Sequence, residues 1–240
     1  LVTNGVRLGT MLTTAVQASW VRFSLDAATE ETYCSVRKVH KNHWQLAKNS
    51  ITALRGLRDS IKAECQIGAG FVVTPDNWKE IYDAAVLAKE LGADNFRISA
   101  MFSNEDEHLF AGFHAEAALL AKKAEDLNDE KFTVYNRFGD RLEDLRIGSP
   151  EDRLCGYQFF TTYIGADLNV YRCCGYAYNE RGLIGSISNQ RFKDFWMSQE
   201  RFDRQMNFDG RGCERCQFRR QNSALAYVIE PQAQLHEEFV

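Results

Sequence analysis

The chain carries seven cysteines in 240 residues, and their placement is uneven. Cys34 and Cys65 stand far apart in the first half, whereas Cys155, Cys173, Cys174, Cys213 and Cys216 crowd the C-terminal part. An odd cysteine count, mild acidity (net charge −4) and no visible secretion signal speak against disulfide stapling and for a reducing, cytoplasmic setting. Thiolates gathered this way are soft metal ligands. Cys213-Glu214-Arg215-Cys216 can grip one centre from a tight turn, because both sulfurs can face inward. A hairpin delivers the others: Cys173 ends its return arm and Cys155 precedes its outgoing arm. The set reads Cys155-x17-Cys173-x39-Cys213-x2-Cys216. Four thiolates suit a zinc ion or an iron–sulfur cluster, and spacing alone leaves both open. A zinc ribbon uses two short knuckles and only one is present, which favours the cluster. Neighbouring residues on a strand point to opposite faces, so only one of Cys173 and Cys174 can serve.

Such a site needs elements to hold it. Hydrophobic residues make up 45% of the chain and charged residues 26%, enough apolar material for a sizeable core. No run of about 18 apolar residues exists, which excludes a membrane-spanning helix, and the mild acidity speaks against a nucleic-acid partner. Leu1–Asn4, Trp20–Leu25, Cys65–Thr74 and Asn95–Phe102 read as strands, with a fifth possible at Lys131–Phe138. Between them, Trp44, Ala47, Ile51, Leu54, Leu57 and Ile61 trace one face of a helix over Asn42–Ile61. Further helices are expected from Asn77 to Leu91 and from Glu105 to Leu127. Strands alternating with helices of this length mean right-handed βαβ units and a parallel sheet. Four or five strands are too few for a closed eightfold barrel. The pattern changes between Gly139 and Pro150. Beyond it come a hairpin (Tyr157–Ile164 and Asn169–Cys173, turning through Gly165-Ala166-Asp167), a helix over Arg191–Met206 and the Cys-x-x-Cys. The tail after Asn222 reads as a loose helix or extended segment.

At this point the chain resembles a family. Thr3-Asn4-Gly5, Phe23-Ser24-Leu25-Asp26-Ala27 and Val72-Val73-Thr74-Pro75-Asp76-Asn77 look like the later strands of a radical S-adenosylmethionine enzyme. Gly165 through Cys174, with Cys155 before it and Cys213 and Cys216 after it, looks like that family's single-cluster twitch domain, the short relative of the two-cluster SPASM domain. The resemblance implies an α/β fold: a partial (β/α)6 barrel followed by a small α+β twitch-like domain with a β-hairpin. The organisation expected is barrel over 1–145, auxiliary-cluster domain over 146–222 and a tail over 223–240. The family's Cys-x3-Cys-x2-Cys is absent from these residues and belongs after the first barrel strand, whereas this chain matches from the third. The expectation is therefore an N-terminally truncated piece, inactive alone.

The complete form would cleave S-adenosylmethionine with a second [4Fe-4S] cluster, giving a 5′-deoxyadenosyl radical that abstracts hydrogen from an unknown small-molecule, sugar or peptide substrate. An electron donor such as flavodoxin or ferredoxin is implied as a partner. The family pattern puts the auxiliary [4Fe-4S] cluster on Cys155, Cys173, Cys213 and Cys216, with Cys173 preferred to Cys174. It also puts Ser24 and, more weakly, Thr3 on the cofactor's polar groups, and Arg37 on its carboxylate. Plainer readings stand beside these. Ser24 can cap a turn, Thr3 can belong to an ordinary turn, and Arg37 can lie on a solvated helix face. Asp26 can open the next helix and Asn77 can cap one. Cys34 and Cys65 read as buried thiols, and His40 and His43 as loop histidines. Arg211, Arg215, Arg219 and Arg220 crowd the Cys-x-x-Cys and either tune a cluster, meet an anion or form a solvated face. The alternative function is a zinc-stabilised interaction module on a degenerate, non-catalytic barrel.

Overall fold

A computed structural model describes residues 1–102 and 107–229. Two compact units divide the chain, Leu1–Glu143 and Asp144–Val240.

The first unit is built on five parallel strands in sequential order: β1 (Val2–Thr3), β2 (Trp20–Ser24), β3 (Gln66–Val73), β4 (Asn95–Ala100) and β5 (Thr133–Arg137). Short helix α1 (Leu12–Ala15) and helices α2 (Glu30–Arg37), α3 (Asn42–Ile61), α4 (Ile81–Glu90) and α5 (His114–Ala124) lie between the strands, and α6 (Phe138–Ile147) comes after β5. Right-handed crossovers between successive neighbours put the helices on one face. Burial alternates accordingly. Val21, Phe23, Ile67, Ala69, Phe71, Phe96, Ile98 and Val134 are buried, while Arg22, Ser24, Arg97, Ser99 and Tyr135 on the other face are not. Each large apolar side chain so covered contributes about 1.5–3 kcal/mol. The sheet is open, with β1 and β5 as its edges among the described residues, and is not a closed barrel.

Several expectations change in detail. Helix α3 keeps its bounds and buries Trp44, Ala47, Ile51 and Leu54, but Ile61 at its end is exposed. Asp26 does not open the next helix. It adopts a left-handed φ of 56°, and Thr29 caps α2 through its Oγ1, which accepts from Thr32 N–H. Nor does the Asn77 side chain cap a helix. It is buried, donating to the carbonyls of Asp26 and Val72 and accepting from Thr74 N–H, so it ties the end of β3 to the loop after β2. The long helix expected from Glu105 has its start outside the described residues; a 3-10 turn at Glu107–Phe110 leads into α5, and another 3-10 turn closes the segment.

The second unit holds a three-stranded antiparallel sheet, β6 (Tyr163–Ile164), β7 (Asn169–Tyr171) and β8 (Leu183–Ser186), where a hairpin alone is expected. The expected outgoing arm is mostly a 3-10 turn, Gly156–Phe159, with strand only at its end. The helix expected over Arg191–Met206 breaks into α7 (Phe192–Trp196) and α8 (Gln199–Met206), because Ser198 Oγ accepts from Arg201 N–H and starts a new helix. Val170, Ile184 and Phe195 form a buried cluster in this unit, with Ile187 and Trp196 against them. The tail forms α9 (Arg219–Ile229), a defined helix; the remainder of the expected 223–240 segment lies outside the described residues.

Candidate metal centre

The four cysteines come from separate pieces of the second unit. Cys155 precedes the 3-10 turn, Cys173 comes after β7, and Cys213 and Cys216 come after the turn Gly210–Gly212. All four are half-buried, whereas Cys174 is exposed and accepts from Gln217 Nε2 at 2.6 Å. Gly210 allows the approach of the last pair: a Cβ there would meet the carbonyl oxygens of Asp152 and Arg153 at 3.0 and 3.2 Å and Cys155 Cβ at 3.7 Å.

Donors are aimed at the sulfurs. Cys155 accepts from Gln158 N–H, Cys173 from the N–H groups of Tyr176 and Gly175, and Cys216 from Phe218 N–H and Asn222 Nδ2. Cys213 takes its bond from the Tyr176 hydroxyl. Hydrogen bonds of this kind favour the thiolate. Burial works against it and pushes Cys155 and Cys213 up to about 11, and Cys173 and Cys216 upward as well. The thiols also raise one another: Cys155 responds to Cys216, Cys213 and Cys173, and Cys213 to Cys216 and Cys173. Half-buried sulfurs that repel one another as thiolates, yet have N–H and O–H donors, fit a cationic soft centre that would remove the repulsion. Among the described residues no three His, Cys, Asp or Glu side chains stand close enough to hold a single ion.

Sequence reasoning did not find the frame around these cysteines. Arg172 is buried next to Cys173, donates through Nε to the Arg181 carbonyl and through Nη1 to Gln158, and stacks 4.1 Å above the Phe208 ring. Its only sequence signal is an arginine adjoining a candidate ligand. The basic residues by the Cys-x-x-Cys are engaged: Arg211 with Asp209, Arg219 with Glu151, and Arg220 with Asp144.

The first unit holds the other candidates. Ser24 ends β2, and its hydroxyl has no hydrogen bond among the described residues. Arg37 reaches it from α2: Nη2 donates to the Ser24 carbonyl at 2.8 Å and pairs with Asp26, while Nε is buried without a hydrogen bond. Asp26 also accepts from Val72 N–H, and burial holds its pKa above the ordinary value against the pull of Arg37. Thr3 stands apart from Ser24. It pairs in register with Phe23, on the helix-covered face, and its Oγ1 accepts from Gly5 N–H. Cys65 is buried and Cys34 half-buried in this same unit. His40 Nδ1 lies 2.9 Å from Asn42 Oδ1 in a loop, and His43 sits in the first turn of α3.

This segment matches a known family model, an iron–sulfur cluster-binding domain. The SPASM family model matches residues 155–217, which span all four half-buried cysteines. A comparison with curated proteins finds no match. Among the described residues no helix is long and apolar enough to cross a membrane.

Proposed function

We propose that the chain forms the later strands and the auxiliary-cluster module of a radical S-adenosylmethionine enzyme of oxidoreductase type. The observation that carries this reading is the SPASM match laid over four half-buried thiols, each with a hydrogen-bond donor on its sulfur. The parallel sheet before it, with strands in sequential order and helices on one side, supports the barrel-type part of the reading.

In this reading Cys155, Cys173, Cys213 and Cys216 hold an auxiliary [4Fe-4S] cluster, while Cys174, exposed, does not. Such a cluster supplies electron transfer or a site for substrate, and S-adenosylmethionine with its own cluster supplies a carbon radical for hydrogen abstraction. The residues of this chain do the remaining work. Ser24 offers a free hydroxyl at a strand end. Arg37 positions it by holding the Ser24 carbonyl and Asp26, and Thr3 braces the turn after β1. Asn77 fixes the neighbouring strand end. An electron-donor protein of the flavodoxin or ferredoxin type and a small-molecule, sugar or peptide substrate are the partners this reading requires.

The test is Ser24→Ala in the protein carrying the Cys-x3-Cys-x2-Cys segment. Loss of one hydrogen bond to a charged ligand is worth about 1.5–3 kcal/mol, so S-adenosylmethionine binding should weaken about 10- to 100-fold at constant iron content. An unchanged dissociation constant removes Ser24 from the cofactor site.

A further inference from the structure

The face of the parallel sheet that the helices leave uncovered is polar, and its charges are unbalanced. Strand register fixes which side chains share it. Arg22, Gly68, Asn95 and Thr133 form one row across β2, β3, β4 and β5; Ser24, Gly70, Arg97 and Tyr135 form the next; Val72, Ser99 and Arg137 form a third. Residues paired in register point to the same side, so Arg22, Ser24, Arg97 and Arg137 all rise from this face.

Two glycines, Gly68 and Gly70, stand in its middle, and neighbouring side chains lie over them, the Asn95 amide over Gly68 and Arg22 over Gly70. Gly70 stands between Ser24 and Arg97 in their row and brings no side chain of its own. Arg22 uses that space: a Cβ on Gly70 would lie 3.4 Å from Arg22 Cδ, so the Arg22 side chain runs over β3, away from its own row and toward that of Arg97. Arg22 Nε is buried there without a hydrogen bond, and among the described residues neither Arg22 nor Arg97 has an ion pair. Arg22 also lies against the Trp20 ring, 5.4 Å from its centroid.

The groups facing Arg97 are cations. Burial lowers its pKa, and Arg22, Arg141 and Arg137 lower it further. A guanidinium keeps its charge near neutral pH regardless, so the repulsion is carried by the folded protein. The carboxylate paired nearby is Asp140, 2.8 Å from Arg137, and it is committed to that partner. Buried or half-buried cations without counterions are costly, and a bound anion removes that cost.

We infer that Arg22 and Arg97 form an oxyanion-binding site on this face of the sheet, beside Gly70, for the carboxylate or phosphate of a small-molecule ligand other than S-adenosylmethionine. Guanidinium forks match both groups, because each presents two acceptor oxygens in a plane or edge. Gly70, lacking a side chain, leaves room for the Arg22 stem to run toward the row of Arg97. The site stands on the sheet alone and does not depend on the radical reading.

Titration calorimetry on the full chain tests it, with inorganic pyrophosphate and malonate as separate probes at constant ionic strength. Saturable binding of at least one probe is expected, and the two arms tell a phosphate site from a carboxylate site. Arg22→Gln and Arg97→Gln should each weaken binding about 10- to 100-fold. Arg191→Gln, which removes an exposed cation paired with Asp194 in the other unit, should leave it unchanged. Without anion, Arg97→Gln should melt at or above the wild-type temperature, because it relieves repulsion. Excess S-adenosylmethionine should not displace the bound probe. The inference fails if neither probe saturates, if both variants bind like wild type, if S-adenosylmethionine competes, or if Arg97→Gln unfolds the chain.

Discussion

Arg172 Nη1 donates to Gln158 Oε1 at 2.6 Å, joining two buried side chains that adjoin different cysteines. Gln158 in turn gives its Nε2 to the Gln205 carbonyl and takes Gln205 Nε2 on its own carbonyl, so the 3-10 turn after Cys155 is bonded to α8. The network crosses three segments that are distant in sequence, and it fixes the approach to Cys155 and Cys173. Burial pushes the Arg172 pKa down to about 10, with the neighbouring thiols opposing the shift, so it remains cationic at neutral pH. A fixed cation beside a thiolate set offsets part of its negative charge.

Arg172→Met should therefore strand Gln158 Oε1 without its donor and cost about 1.5–3 kcal/mol in denaturant unfolding. Arg172→Lys should recover little of this, since an ammonium can neither stack on Phe208 nor fork between Gln158 and the Arg181 carbonyl. Full recovery by lysine would reduce the role of Arg172 to its charge.

Glu80 closes the start of α2 from another segment. Its carboxylate accepts from the N–H groups of Ala28 and Thr29 and from the hydroxyls of Thr29 and Thr32, at 2.6 to 3.2 Å. Partial burial alone would raise its pKa, but these bonds, Thr32 foremost, hold it below the ordinary 4.5. A lowered carboxylate stabilises the fold above its unfolded-state pKa and loses that contribution as pH falls through the folded value. Glu80→Gln puts an amide N–H₂ against N–H donors, and should cost about 1.5–3 kcal/mol at pH 7. The gap to wild type should shrink as pH falls below about 4.5. Unfolding curves of the metal-free chain at both pH values measure it; a gap that stays constant with pH would exclude the charge as its source.

The parts of the fold that obey a local period were legible in the chain. Short apolar runs marked strands over Trp20–Leu25, Cys65–Thr74 and Asn95–Phe102, close to the observed Trp20–Ser24, Gln66–Val73 and Asn95–Ala100, and a helical stripe marked Asn42–Ile61. The hidden parts depend on contacts remote in sequence. Strand β8 is short, and only its pairing with β7 defines it. Asp26 looks like a helix start, but Arg37, Val72 N–H and Asn77 hold it in a left-handed turn. The cysteine spacing suggested four ligands, whereas the burial that separates Cys173 from Cys174 and the donors on each sulfur emerge only from the folded chain. Arg22 and Arg97 carry no motif at all; strand register alone puts them on one face.

Cluster binding by Cys155, Cys173, Cys213 and Cys216 is the central claim of the proposed function. Iron and acid-labile sulfide content after anaerobic reconstitution, measured across alanine variants of all seven cysteines, tests it most directly. The chain should carry about four irons and about four sulfides. Variants at Cys155, Cys173, Cys213 and Cys216 should each lose most of both, while Cys34→Ala, Cys65→Ala and Cys174→Ala should keep them. Retention of iron by Cys173→Ala with loss in Cys174→Ala would contradict the ligand assignment, and zinc without sulfide in every variant would contradict the cluster itself.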